Sequence, residues 1–231
     1  MLTDIFSSFD PATISLHNML PSPLFWLVNL LIIAVISSSF WQSQFQLTSL
    51  LSMPKAFMAS QTSRTKGSSM KAFHGIVSTL FMILITMNLS GLTPYIFSIS
   101  SHLFFTLSIA LPLWLALVMS SIYFSPSRFL GGLLPGGAPD WLNPFLVIVE
   151  SLSILVRPIT LSFRLAANMS AGHIVLALIG IYMSAALFNP SMTLLTLIAI
   201  QTFYILFEVA ICLIQAYIFC LLITLYSDDH S

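Results

Sequence analysis

Apolar residues along this chain gather into long runs, and the lengths of those runs predict the architecture. Crossing a bilayer core takes roughly 20 apolar residues as a helix. Pro23 to Trp41 is such a run, with Pro23 near the first helical turn, where its missing N–H is tolerated. A second span, 74–98, passes through Leu80, Phe81, Ile83, Leu84 and Leu89 to Gly91 and Pro94, and a third covers 102–124. Pro112 interrupts the third and is expected to kink it by removing a backbone donor. None of these three runs contains Asp, Glu, Lys or Arg.

The polar stretches between the runs are as informative. Residues 42–71 hold Lys55, Arg64, Lys66 and Lys71 and no acid, which is more than half of the seven basic residues in the chain. By the positive-inside rule this loop lies on the matrix or cytoplasmic side, and the N-terminal stretch, 1–22, lies opposite. Leu47, Leu50, Leu51, Phe57 and Met58 approach helical spacing, which predicts a short amphipathic helix on the membrane surface despite Pro54. Residues 125–144 read as a loop from Pro126, Gly131, Gly132, Pro135, Gly136, Gly137, Pro139 and Pro144, with Arg128 on the same positive side. Beyond it lie two over-long apolar stretches, 145–188 and 191–226, separated by the turn signal Asn189-Pro190. As continuous helices they measure about 66 and 54 Å against a core of about 30 Å. Such helices break, tilt steeply or pack into a protein partner. The predicted fold is an all-α integral membrane protein: about five transmembrane helices, a surface helix and a long tilted C-terminal hairpin, in one polytopic domain.

Composition supports insertion and narrows the function. The chain is 58% hydrophobic and only 6% charged, whereas a soluble domain carries about a quarter charged residues. Basic and acidic residues number seven each, so the basic footprint of a nucleic-acid binder is missing. Cys212 and Cys220 sit eight residues apart in one run, about 12 Å along a helix and too far for a disulfide. No spacing of Cys and His resembles a zinc site. The first twenty residues contain Asp4, Asp10 and His17 and no Lys or Arg, unlike a secretory signal or a transit peptide.

Charge returns inside the final hairpin. Glu150, Arg157 and Arg164 recur every seven residues, as do Gln201, Glu208 and Gln215 on the returning stretch. Seven residues is close to two helical turns, so each trio lines one face, drifting about 20° per step. Asn168 lies near the face of Arg164, and His173 lies roughly opposite on a straight helix. A charge in hydrocarbon costs about 2.5–3.5 kcal/mol on insertion scales, so intramembrane ionisable residues mark ion pathways or pair with one another. An arginine keeps its proton and serves as a fixed positive gate, whereas Glu and His can carry protons. Asn88-Leu-Ser90 and Asn168-Met-Ser170 fit the glycosylation pattern but lie in apolar runs, which argues against that reading.

The run Ser162-Phe-Arg164-Leu-Ala-Ala-Asn168-Met-Ser-Ala-Gly172-His173 resembles the RL-x-x-N-x-x-x-GH stretch of the a subunit of F-type ATP synthases. The likeness extends upstream through Asn143-Pro144, Glu150-Ser-Leu-Ser153 and Arg157-Pro158. Downstream it takes in Glu208-Val-Ala-Ile, Leu213-Ile-Gln215-Ala-Tyr217 and Leu225-Tyr226, and Asn88-Leu-Ser-Gly91-Leu-Thr-Pro94 resembles a further segment. Together these cover most of 74–231. His173 paired with Glu208 points to the mitochondrial form, since bacterial relatives commonly exchange the two residue types.

The resemblance implies a non-catalytic proton-channel subunit of the Fo sector in the mitochondrial inner membrane, with no cofactor or metal. Its implied partners are the c-ring, subunit b with the peripheral stalk, small Fo subunits, lipid and protons. Arg164 is implied to face the ring carboxylates and to separate two offset half-channels. His173 and Glu208 are implied for the intermembrane-space half-channel. Glu150 is implied for the matrix half-channel, with Asp229 near its mouth. Asn168 and Gln215 match polar positions around the arginine. Arg157 is a supporting candidate, which Pro158 could instead mark as a kink. Two other classes share the composition. A secondary transporter predicts duplicated halves, and a pumping subunit of a redox complex predicts no RL-x-x-N-x-x-x-GH run.

Overall fold

Backbone amides in hydrocarbon find no water, so a chain this apolar closes its hydrogen bonds inside helices. Every regular element among the described residues is helical. The computed structural model describes residues 46–70, 72–93, 98–124, 126–133, 140–187 and 192–229, together with Leu27, Leu31 and Ala34. These last three are helical and exposed; the rest of the predicted first span, 23–41, lies outside the described residues, as does Asn189-Pro190.

Helix α1, Gln46–Thr62, occupies the basic region and runs through Pro54. A 3-10 turn, Lys66–Ser69, leads to α2, Phe73–Gly91. Ala72 caps α2 at φ 67°, in the left-handed region, while its carbonyl accepts from the Ile76 N–H at 3.0 Å. Helix α3, Leu103–Phe124, continues through Pro112. The stretch expected to be a loop carries helical turns of its own: α4, Pro126–Gly132, and a 3-10 turn, Asp140–Leu142. Pro126 opens α4 where an N–H is dispensable, and the Gly131-Gly132 pair closes it, so the punctuation bounds a short helix here.

Helix α5, Asn143–Ala186, has 44 residues, and α6, Met192–Asp229, has 38. Of the three ways to accommodate such length, breakage is excluded, since each runs unbroken and α5 passes through Pro158. Four helices (α2, α3, α5 and α6) are long and apolar enough to cross a membrane among the described residues.

The chain folds as two compact units. The first comprises Met1–Ser43, Ile83–His102 and Leu165–Ala216; the second comprises Gln44–Met82, Leu103–Arg164 and Tyr217–Ser231. In the first unit Leu84, Met87, Leu165, Ala166, Met169, Cys212 and Ala216 are buried. Small residues let helices approach without hydrophobic driving force from lipid. At Gly91 an added Cβ would lie 3.2 Å from Met169 Cε and 3.3 Å from Ser98 Cβ. Cys212 Sγ sits 3.5 Å from Met169 Sδ, and Ser170 Oγ donates to the Ser101 carbonyl at 3.3 Å.

In the second unit the end of α6 is the centrepiece. Phe219, Cys220, Ile223, Thr224 and Ser227 are buried. Phe57 of α1 meets Tyr217 with ring centroids 5.8 Å apart, and Cys220 Sγ lies 3.9 Å from the Val77 carbonyl. The Lys66 backbone N–H donates to Asp228 Oδ1 at 2.6 Å. Gly67 lies so close to Ser227 that a Cβ there would come within 2.8 Å of the Ser227 Cβ. The hydroxyl of Thr62, buried near the end of α1, bonds His74 Nδ1 at the start of α2.

Candidate functional site

Two polar clusters interrupt the apolar helices, one in each unit. In the first unit Glu208 of α6 is only 3% exposed, although its neighbours Phe207 and Leu206 are open to the surroundings. Its carboxylate lies against the backbone of α5 at Gly172. A methyl group built on that glycine would overlap Glu208 Oε1 and Cδ. The missing side chain is therefore what admits the carboxylate to this place. Tyr204 stands one turn earlier on α6, within i, i+4 reach of Glu208. His173 follows Gly172 on α5 and is half-buried, with its Nε2 fully shielded.

Asn168 and Gln215 belong to the same unit and are both half-buried. Asn88 of α2 is 0% exposed, and neither amide atom has a hydrogen-bond partner among the described residues. The Ser100 hydroxyl is buried in the same condition. Buried polar groups are hydrogen-bonded in the great majority of cases, so each such group calls for a physical explanation.

In the second unit Arg157 Nη2 donates to Glu150 Oε1 at 3.4 Å, with the two side chains 28% and 38% exposed. The Arg157 Cζ lies over the Tyr226 ring at 5.0 Å from its centroid. Seven-residue spacing thus joins Glu150 to Arg157 in an ion pair, and Pro158 leaves the helix unbroken. Arg164 belongs to this unit too, but its side chain is exposed and makes no ion pair or hydrogen bond among the described residues. The side chain of Asp229 lies outside the described residues. No group of three His, Cys, Asp or Glu side chains able to hold a metal occurs among the described residues.

Two participants were missed by pattern reading. Tyr204 had a usable signal, since it lies four residues before an intramembrane Glu. Tyr226 was visible only as part of the resemblance, because its partner Arg157 is 69 positions away in the sequence.

The arrangement is that of a membrane protein with ionisable groups set in apolar helices. The profile of the family described as "ATP synthase A chain" matches residues 22–228. A protein of Albinaria caerulea named ATP synthase subunit a is 37% identical over 230 residues, covering 100% of both chains. Its namesake in Locusta migratoria is 35% identical, covering 99% of each. That of Mytilus edulis is also 35% identical, over 100% of both. A buried glutamate at a glycine, an exposed arginine in an apolar helix and a match over nearly the whole length lead to one assignment: this chain belongs to the ATP synthase A chain family, in its mitochondrial form.

Proposed function

We propose that the chain is the proton-conducting, non-catalytic a subunit of the Fo sector of mitochondrial ATP synthase. In this reading it forms two offset half-channels against a ring of c subunits, so that proton flux turns the ring and drives ATP synthesis. The observation that carries the reading is Arg164. It is permanently charged, set in an apolar helix and exposed without a partner among the described residues. Leaving such a group in hydrocarbon costs about 2.5–3.5 kcal/mol on insertion scales, so it calls for an anionic partner from outside. A carboxylate on a neighbouring subunit supplies that charge. Because arginine does not release its proton, it attracts the ionised carboxylate and blocks direct passage between the half-channels.

The other groups fall on either side of this gate. Glu208 and His173 exchange protons in the half-channel open to the intermembrane space. Gly172 makes room for the Glu208 carboxylate, and Tyr204 stands one turn before it on α6. Asn168, one turn beyond Arg164 on α5, and Gln215 on α6 supply neutral hydrogen-bonding groups. Glu150 releases protons toward the matrix, with Asp229 near the exit. The chain crosses the inner membrane several times, with its N-terminus in the intermembrane space and its C-terminus in the matrix. Subunit b, the peripheral stalk and the small Fo subunits complete its surroundings.

The test is replacement of Arg164 in the assembled enzyme. Arg164→Ala abolishes proton-driven ATP synthesis while ATP hydrolysis by the catalytic sector persists, and Arg164→Lys restores little because the planar fork is lost. Normal coupling in a fully assembled Arg164→Ala enzyme refutes the proposal.

A further inference from the structure

Arg157 lies two turns beyond Glu150 on α5, and its guanidinium is engaged on two sides. An N–H of its edge meets Glu150 Oε1 at 3.4 Å, and its carbon lies 5.0 Å from the centre of the Tyr226 ring on α6. A planar guanidinium can do both at once, since its edge donates hydrogen bonds while its face meets an aromatic ring. The Glu150 contact is long for a charge-assisted bond, which is usually about 2.7–2.9 Å. The ion pair alone therefore holds neither side chain firmly, and the Tyr226 ring supplies the second support for Arg157.

Tyr226 is itself anchored by its neighbours. Ser227 packs against the backbone at Gly67, and Asp228 accepts a hydrogen bond from the Lys66 N–H at 2.6 Å. A continuous physical sequence results: the 66–67 turn seats the last turn of α6, that turn places the Tyr226 ring, the ring steadies Arg157, and Arg157 reaches Glu150. All of these residues lie in one compact unit.

We infer that Arg157 is a positioning residue, which transmits the seating of the last turn of α6 to the Glu150 carboxylate. It does not carry protons, because arginine keeps its own. This inference rests on the proposed place of Glu150 in the matrix-side pathway and adds the device that holds it there. An aromatic ring is required at 226.

The experiment uses intact ATP synthase in inner-membrane vesicles, with ATP-driven proton pumping normalised to assembled complex. Hydrogen–deuterium exchange of the peptide spanning 222–229 is read on the same samples. Tyr226→Leu removes the ring and lowers pumping by about tenfold, in keeping with the strength of a desolvated cation–π contact. Tyr226→Phe, which keeps a ring over Arg157, retains more of the pumping than Tyr226→Leu. Arg157→Ala, which leaves the sequence of α6 unaltered, quickens exchange in 222–229, as does Tyr226→Leu. Pumping in the Glu150→Gln, Tyr226→Leu double variant is no lower than in Glu150→Gln alone. Unchanged exchange in both Tyr226→Leu and Arg157→Ala overturns the inference, and so do additive losses in the double variant. If Glu150→Gln by itself leaves pumping intact, the pathway role of Glu150 falls. The exchange data then decide separately whether Arg157 holds the helix end.

Discussion

At Gly172 the absence of a single methyl group decides where the Glu208 carboxylate lies. Gly172→Ala puts a Cβ onto Oε1, and the flexible glutamate swings away while the helices stay packed. The expected result is normal assembly with proton flux reduced by roughly tenfold, a barrier increase of about 1.4 kcal/mol. Gly75→Ala is the matched control: nothing lies within 4 Å of its added Cβ, so flux is unchanged and helix propensity improves by about 1 kcal/mol. At this scale the sequence was half legible. Glu150, Arg157, Arg164, His173 and Glu208 stood out because each is polar in an apolar run. Gly172 as the seat for Glu208 did not, since a glycine reveals nothing about which distant side chain approaches it. Asn88 was visible only as part of a motif, because burial to 0% depends on packing by other segments.

Helices were the most legible elements, because run length translates directly into helix length in a medium that forbids open backbone. α4 was misread as loop, since Gly and Pro mark a helix's ends as readily as its absence. The continuity of α5 through Pro158 was also open in the sequence, where proline could equally have broken it. Two element-scale outcomes follow from the junction before α2. Ala72 holds φ 67° at that junction, a conformation costing about 1–2 kcal/mol for a residue with a Cβ. Ala72→Gly therefore stabilises the chain, after the loss to a freer unfolded state, by about 0.5–1 kcal/mol, measured as a higher dissociation temperature in detergent. Gly67→Val acts oppositely. Its Cβ meets the Ser227 Cβ, which cannot rotate away, so the last turn of α6 lifts off at a cost of about 1–3 kcal/mol. Increased protease cleavage after residue 220 reports it.

Across the whole molecule, the orientation expected from the basic 42–71 segment is open to direct chemical reading. Cys212 and Cys220 are both buried, so background reaction with an impermeant maleimide is low. Ser63 is exposed in that segment. Ser63→Cys is expected to label in inside-out vesicles and not in mitoplasts; the reverse pattern inverts the proposed topology. The docking of Lys66 and Gly67 on Asp228 and Ser227 has a consequence in time as well as space. A contact spanning 162 positions closes only after nearly all of the chain between its partners has left the ribosome, and long-range contacts of this kind form slowly. Until residues 217–229 arrive, the second unit lacks Phe219, Cys220 and Ile223 from its interior, and the faces meant to cover them wait exposed. The nascent chain thus depends on residues 217–229 to complete what 44–82 and 103–164 began, leaving an interval in which an insertion factor or a protease can judge it.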